Sequence, residues 1–335
     1  MVASGTKYRC YERSTRGRCS CPRPINGTSA NPDADCCILL SMSDWGCFPF
    51  GRPNTVRPAR MANRSDAVVV GVYPSAWHVR WQAPETLVVE GRRGTVAALA
   101  VDVEPTVLWD GNADKFGERL ARWKSEVGFV DGKHGTVSLT SPSTNGSSGA
   151  KVVEHYLGPL GIAAERTTFT DVYPVFLVKM TKGQQGEVIR REYDTVASGM
   201  GMPKCSVPPR ISSARLPELA ASIFGGRLVA DLSSLAARLI ITLGEAVWNT
   251  FLAIPSLRAR PPRQKFADLY GDSYGTTGRL TVNGHEIDWL PLVHPGLLKG
   301  KLDPNADIPL GGRTLNGWAT LHARWASAHS LRLSN

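Results

Sequence analysis

Two short runs of apolar, mostly β-branched residues, each ending at a glycine, constrain the fold of this chain most strongly. One covers residues 66–71 (Asp-Ala-Val-Val-Val-Gly) and the other covers 239–244 (Leu-Ile-Ile-Thr-Leu-Gly). Continuous apolar runs of this length are typical of strands that are buried on both faces of a parallel sheet. Segments with helical spacing lie between them, such as the amphipathic stretch Lys115–Val127. This alternation predicts an α/β fold with right-handed crossovers.

The composition is that of a globular protein. Of the 335 residues, 42% are hydrophobic and 20% are charged, which excludes a wholly disordered chain. The most apolar stretch, 228–254, is interrupted by Asp231, Arg238 and Glu245, whereas a membrane-spanning helix needs about 20 largely uncharged residues. We therefore expect no membrane partner and a cytoplasmic location. The net charge of +10 is compatible with nucleic-acid binding without establishing it.

The N-terminal segment differs from the rest of the chain. It contains six of the seven cysteines, within residues 1–47, and is rich in Arg, Pro, Ser and Gly without hydrophobic periodicity. The spacings Cys19-Ser-Cys21 and Cys36-Cys37 are too tight for the paired knuckles of a structural zinc site. We predict that residues 1–60 are a disordered tail, or an over-extended reading of the gene with Met61 as the start, and that 61–335 form the α/β domain. A metal-binding appendage is the alternative for the tail, and no metal site or cofactor is predicted for the domain.

Two segments follow predicted strands at the end where parallel sheets bind ligands. They are Gly71-Val-Tyr-Pro-Ser-Ala76, after the first strand, and Val293-His-Pro-Gly-Leu-Leu-Lys-Gly300, after a hairpin that turns at Asn283-Gly284. In open α/β sheets, ligands bind beyond the carboxyl ends of the strands. We therefore expect Tyr73 and His294 to share one pocket.

The same segments carry a family resemblance. Gly-x-x-Pro-Ser after an N-terminal strand and His-Pro-Gly-Leu-Leu near the C-terminus resemble the two motifs of the uracil-DNA glycosylase superfamily, and residues 240–246 resemble its penultimate strand and the turn after it. The resemblance implies a three-layer αβα sandwich with a central, mainly parallel four-stranded sheet. It also implies a DNA repair glycosylase that flips uracil or a related damaged base out of DNA and hydrolyses its N-glycosidic bond. We expect such a protein to be a monomer without a cofactor, associated with the nucleoid when it acts on DNA.

The resemblance also implies roles for individual residues. His294 would hydrogen-bond a carbonyl of the base and stabilise the departing anion, as a donor to developing oxyanion charge does. The residues after it would enter or touch the duplex, with Leu297 and Leu298 as apolar wedges and Lys299 as a phosphate contact. The first motif would cradle the flipped base through Gly71, Tyr73, Pro74 and Ser75.

One departure from the family pattern bears on catalysis. The third position of the first motif is Tyr73, where the well-known active branches place Asp or Asn, and a phenol with a reference pKa near 10 is a poor base at neutral pH. If the chain is catalytic, another carboxylate must then serve, and of the possible acids Asp102, Glu104 and Asp110 the last two are preferred. Trp109, between them, is the candidate ring for stacking on the base, with an ordinary core position as the equal alternative. Asp171, at the end of a predicted strand, is expected to cap that strand, and the alternative is that it orients a neighbouring group through a hydrogen bond.

Three functions compete at this level. The first is an excising glycosylase, and the second is an altered family member that binds DNA or a modified base without cleaving it. The third is an enzyme that processes a nucleoside or nucleotide on a similar scaffold. The third would require a phosphate-binding Gly-rich loop, and the nearest candidate, residues 140–149, lacks the Gly-Lys-Ser/Thr end of that motif.

Overall fold

The computed structural model of the chain describes residues 45–333 apart from 90–91, 94–95, 113, 115, 141–143, 179–196, 198–199, 236, 300–301 and 309–312. The strands are β1 (Ala67–Gly71), β2 (Ala76–Gln82), β3 (Val88–Val89), β4 (Arg92–Arg93), β5 (Val96–Val103), β6 (Thr136–Ser138), β7 (Thr167–Asp171), β8 (Leu239–Leu243), β9 (Gly278–Val282) and β10 (His285–Leu292). The α-helices are α1 (Phe116–Val127), α2 (Ser147–Val152), α3 (Leu216–Ser233), α4 (Glu245–Ala253) and α5 (Leu315–Leu333).

A five-stranded, mostly parallel sheet forms the centre of the fold. Its strand order is β7-β1-β8-β10-β9, in which the first four strands are parallel and β9 pairs antiparallel with β10. Every residue of β1 and β7 is buried, as expected for strands covered on both faces. The α/β class and the mainly parallel sheet are confirmed, with one antiparallel edge strand more than the four strands predicted.

The edge strand comes from the predicted hairpin. β9 and β10 are joined by Asn283 and Gly284, which have φ values of 49° and 85°. Positive φ at both central residues matches a two-residue hairpin turn of the type that Asn-Gly favours. The local turn chemistry therefore accounts for this hairpin.

A second, antiparallel sheet was not predicted. It has the order β5-β2-β6, and β2 buries Trp77, Val79 and Trp81 while Arg80 and Gln82 are exposed. These side chains form a hydrophobic cluster separate from the one around the central sheet. Because β2 starts at Ala76, directly after the first motif, that motif is the link between the two sheets.

The predicted boundary between residues 60 and 61 is wrong. The compact unit begins at Trp45, and Phe48 and Phe50 are buried in the cluster of the second sheet. Arg57 forms a buried ion pair with Asp171, and Arg60 exchanges backbone hydrogen bonds with Phe169 of β7. The segment 45–60 lacks a periodic pattern because it contributes single anchors to elements distant in sequence. Residues 1–44, with all N-terminal cysteines except Cys47, lie outside the described residues.

Helix α3 is continuous although it contains two adjacent glycines. It runs through Gly225 and Gly226 and packs against α4. A Cβ at Gly225 would lie 3.4 Å from the Ile254 side chain, so the small residue allows close packing after α4. None of the described helices is long and apolar enough to cross a membrane.

Candidate functional site

A cavity of about 830 Å³ lies at the carboxyl ends of the parallel strands. All four of these strands end on its wall: β7 at Asp171, β1 at Gly71, β8 at Leu243 and β10 just before His294. Its volume is within the range of small-molecule sites. Tyr73 and His294 both line this cavity, so the prediction that they share one pocket is confirmed.

The first motif forms one side of the cavity. Gly71, Tyr73, Pro74 and Ser75 all line it. A Cβ at Gly71 would lie only 2.5 Å from Oδ1 of Asp171, so the absence of a side chain at Gly71 makes room for that carboxylate. Gly71, the first residue of the motif, therefore leaves space for the carboxylate of Asp171 from the neighbouring strand β7.

Asp171 is held in this position by Arg57. Its Oδ2 accepts a hydrogen bond from Nη2 of Arg57 at 2.7 Å, and the two side chains are 2% and 6% exposed. Arg57 also donates through Nη1 to the backbone carbonyl of Thr106 at 3.0 Å. Two fixed contacts orient the guanidinium, which in turn orients the carboxylate at the cavity wall.

Tyr73 supplies an uncharged phenol to the cavity. Burial raises the pKa of Tyr73, while the nearby Arg210 guanidinium partly opposes that shift. The guanidinium of Arg210 lies 5.9 Å from the centre of the Tyr73 ring, in the geometry of a cation–π contact. Tyr73 therefore does not provide a base at neutral pH, in agreement with the sequence argument.

His294 follows β10 and belongs to the second motif segment. Its Nδ1 accepts a hydrogen bond from the backbone N–H of Gly296 at 3.0 Å. Because an accepting imidazole nitrogen carries no hydrogen, the neutral ring carries its hydrogen on Nε2. Gly244 has a φ of 91°, and a Cβ there would lie 3.1 Å from Cβ of His294, so this turn has little room for a larger residue. The local geometry thus presents His294 as a hydrogen-bond donor through Nε2.

Glu104 lies behind the first motif and not in the large cavity. Its backbone N–H donates to the carbonyl of Ser75, and its carboxyl group accepts from the N–H of Gly146 at 3.3 Å. Glu104 lines a second cleft of about 330 Å³ together with Arg57 and Arg119. Burial raises its pKa to about 8 against the opposing effect of Arg57, so the group is mostly protonated at pH 7. The predicted catalytic role of Glu104 is not supported, because Glu104 does not line the cavity that contains Tyr73 and His294.

Asp110 and Trp109 do not line the large cavity, so for Trp109 the structure agrees with the alternative of a core position. Asp110 is exposed, and its Oδ1 accepts from the backbone N–H of Asn112 in a local turn. Trp109 packs against the cluster of the second sheet, whereas Leu108, with a φ of 49°, lines the large cavity. The left-handed backbone at Leu108 redirects the chain, which explains why its neighbour and not Trp109 reaches the cavity.

The residues after His294 do not all have the predicted exposure. Leu297 is partly buried and lines the cavity, and Lys299 is exposed. Leu298 is 1% exposed and belongs to the core of the central sheet, and its backbone carbonyl accepts from Nζ of Lys151. Leu298 is therefore a core residue, since a wedge must leave the protein surface to enter a duplex, and the predicted wedge role is wrong for it.

Alanine substitution should separate the two leucines. We expect Leu298→Ala to lower the free energy of unfolding by about 2–3 kcal/mol, since it removes a buried side chain and leaves a cavity. Leu297→Ala should cost less than about 1 kcal/mol, since its side chain is already partly solvated. Urea unfolding of both variants measures the difference, and equal losses would contradict the assignment of Leu298 to the core.

Two residues at the cavity were missed or undervalued in sequence. For Asp171 the sequence favours an end cap over a role in orienting a neighbour, and the structure shows a buried, ion-paired carboxylate that lines the cavity. Arg210 lies in a stretch without periodicity and lines the cavity as an exposed cation. The position of Asp171 at the carboxyl end of a buried strand, beside the first motif, was the one usable signal.

A comparison of the sequence with protein-family models and with curated protein sequences gave no match. The residues that the fold brings to this cavity therefore carry the information about function.

Proposed function

We propose that this chain is a DNA glycosylase of the uracil-DNA glycosylase type, with a three-layer αβα sandwich around its central sheet. One observation carries the proposal: the carboxyl ends of all four parallel strands meet at one cavity, which both motif segments line. The four parallel strands agree with the four-stranded parallel sheet that the resemblance implies. The cavity is large enough to accept a flipped base.

His294 is the proposed electrophilic partner of the leaving base. Breaking the N-glycosidic bond leaves the bonding electron pair on the base, where it delocalises onto a carbonyl oxygen. The Nε2–H of His294 donates a hydrogen bond to that oxygen, and such a donor stabilises developing charge most effectively when it is already oriented. The hydrogen bond from Gly296 to Nδ1 provides this orientation.

Asp171 is the proposed substitute for the acid that the first motif lacks. Its carboxylate lies over Gly71, while Tyr73 at the third motif position is a neutral phenol. A carboxylate only accepts hydrogen bonds, so it can orient a water molecule for addition to the sugar carbon. The ion pair with Arg57 keeps one oxygen engaged and leaves the direction of the other defined.

The second candidate is a protein that binds DNA or a modified base without excising it. The observation that favours it is Tyr73, since this position lacks the acid of the well-known active branches. An enzyme acting on free nucleosides or nucleotides is the third candidate. The exposed cations Arg210 and Lys299, near the two motif segments, favour a phosphate-bearing ligand, either DNA or a nucleotide, over a free nucleoside.

Labelled oligonucleotides test the proposal directly. The full chain is incubated with single and double strands that contain uracil, hypoxanthine, xanthine or a mismatch, and abasic sites are detected by alkaline cleavage. We expect excision of at least one of these bases, and a reduced rate with retained binding for Asp171→Asn. Binding with no abasic sites in any of the substrates would support the second candidate. Absence of both binding and cleavage would refute the proposal.

Salt dependence tests the DNA contact at Lys299. Neutralising this exposed side chain in Lys299→Gln should weaken DNA binding and lower the slope of log K against log salt by about one unit, because one phosphate contact is lost. The matched control is Lys133→Gln, which removes another exposed lysine, from the turn before β6. Fluorescence anisotropy titrations at several salt concentrations give both slopes, and identical slopes for the two variants would exclude Lys299 from the interface.

A further inference from the structure

A buried hydrogen-bond network lies under the end of β10. At its centre is His322 of α5, which is 0% exposed. Its Nε2 lies 3.0 Å from the backbone carbonyl of His155, and since a carbonyl only accepts, Nε2 carries the hydrogen. Its Nδ1 is then an acceptor, so the hydroxyl of Tyr274 at 2.7 Å donates to it. Burial lowers the pKa of His322 to about 3, which keeps the ring neutral and its donor and acceptor sides fixed.

The network ends on the backbone of Val293. The oxygen of Tyr274 accepts from the N–H of Val293 at 3.2 Å, and the hydroxyl of Tyr156 donates to the carbonyl of Val293 at 2.8 Å. Both polar backbone groups of Val293 are thus bound by side-chain hydroxyls, and Val293 itself is 0% exposed. Val293 is the residue between the end of β10 and His294.

The sheet does not provide this restraint. The last hydrogen bond from the neighbouring β8 segment joins the N–H of Gly244 to the carbonyl of Leu292, one residue before Val293. The direction in which the chain leaves the sheet therefore depends on the two tyrosines. His322 in turn orders Tyr274, because it takes the hydroxyl hydrogen and so leaves the oxygen to accept from Val293.

We propose that Tyr274, Tyr156 and His322 are positioning residues that set the orientation of the His294 imidazole in the cavity. The role of His294 in excision rests on the proposed function, but the orientation of its ring does not. A small displacement of a reacting group lowers the rate of a chemical step far more than it lowers ground-state binding. Through this network, His322 of α5 therefore affects the chemistry of His294, which lies outside that helix.

Removal of one hydroxyl tests the network. In Tyr274→Phe, the N–H of Val293 and Nδ1 of His322 both lose their partner, so the end of β10 should shift. The matched control is Tyr270→Phe, because the Tyr270 ring packs on Trp318 as the Tyr274 ring does, and its hydroxyl is buried with no hydrogen-bond partner in the described part of the chain. The full-length protein is used for both variants.

Two properties are measured for each variant, the tautomer of His294 and the kinetic constants of excision. Nitrogen NMR of histidine-labelled protein reports the tautomer of His294, whose signals are assigned by their loss in His294→Ala. We expect the Nε2–H form in the unmodified protein and in Tyr270→Phe, and a mixture of tautomers in Tyr274→Phe. With an oligonucleotide from which the unmodified protein removes a base, Tyr274→Phe should lower kcat by about tenfold or more and change KM by less than about twofold.

The outcomes separate the two proposals. An unchanged His294 tautomer and unchanged kcat in Tyr274→Phe, with only a lower Tm, would show that the network is merely structural and would overturn the inference. If the chain excises no base, the tautomer measurement alone still supports or overturns the positioning role. Failure of the proposed function is therefore distinguishable from failure of this inference. If Tyr274→Phe does not fold, Tyr156→Phe takes its place, since it frees only the carbonyl of Val293, and the same two readouts support or overturn the inference.

Discussion

Replacing His294 by alanine should lower the rate of base excision by about 10²-fold to 10³-fold, the scale measured for one lost oxyanion donor. The expected cause is loss of the Nε2–H that the hydrogen bond from Gly296 orients. The fold should survive, because His294 lies partly exposed on the cavity wall after β10. Single-turnover kinetics on the best substrate measure the effect without interference from product release.

Two further variants make this result specific. His285→Ala is the matched control, since this histidine is exposed at the start of β10 and far along the strand from the cavity end. It should excise at the normal rate. His294→Gln retains a side-chain N–H donor and should recover part of the lost rate. Normal excision by His294→Ala would place the chemistry elsewhere in the molecule.

Arg57→Ala should lower the free energy of unfolding by about 3–5 kcal/mol, the cost of leaving one member of a buried ion pair without its partner. Arg57 and Asp171 lie 2.7 Å apart and are 6% and 2% exposed, so neither charge can recover its hydration in the folded protein. The substitution also removes the donor to the carbonyl of Thr106. Urea unfolding followed by tryptophan fluorescence measures the loss.

A surface pair provides the control for this effect. Arg166 and Asp66 form an ion pair of nearly the same length, 2.6 Å, but their side chains are 54% and 36% exposed. Arg166→Ala should therefore cost no more than about 1 kcal/mol. Similar losses for the two arginine variants would mean that burial does not determine the strength of the Arg57 pair. A large loss for Arg57→Ala alone would also establish that residues before Met61 belong to the folded unit.

The elements that sequence predicted well share one property, which is that their pattern is complete within a few residues. The runs 66–71 and 239–244 are β1 and β8, and the helical spacing over Lys115–Val127 is α1. The Asn283-Gly284 turn similarly determines the β9–β10 hairpin. Hydrophobic period and turn chemistry are local properties, so a single sequence carries them in full.

The site was predicted in part for a similar reason. Both motif segments follow parallel strands, and carboxyl ends of such strands meet at one edge, so a shared cavity for Tyr73 and His294 follows from order alone. The order of the strands does not show which carboxylate lines the cavity together with Tyr73 and His294. Asp171 lies at the end of a predicted strand, as the two motif segments do, but only packing buries it beside Gly71 against Arg57 and leaves Glu104 and Asp110 outside the cavity.

What the sequence determined by itself is therefore the α/β class, the main strands and helices, and the two segments that meet at the cavity. Only the tertiary structure decided that Leu298 is core while Leu297 lines the cavity, because neighbouring leucines in a turn have identical local patterns. It also decided that the segment 45–60 belongs to the fold, since the partners of Phe48, Phe50 and Arg57 lie elsewhere along the chain. The physical reason is that a local pattern records which side chains seek burial, whereas long-range contacts determine where each of them finds it.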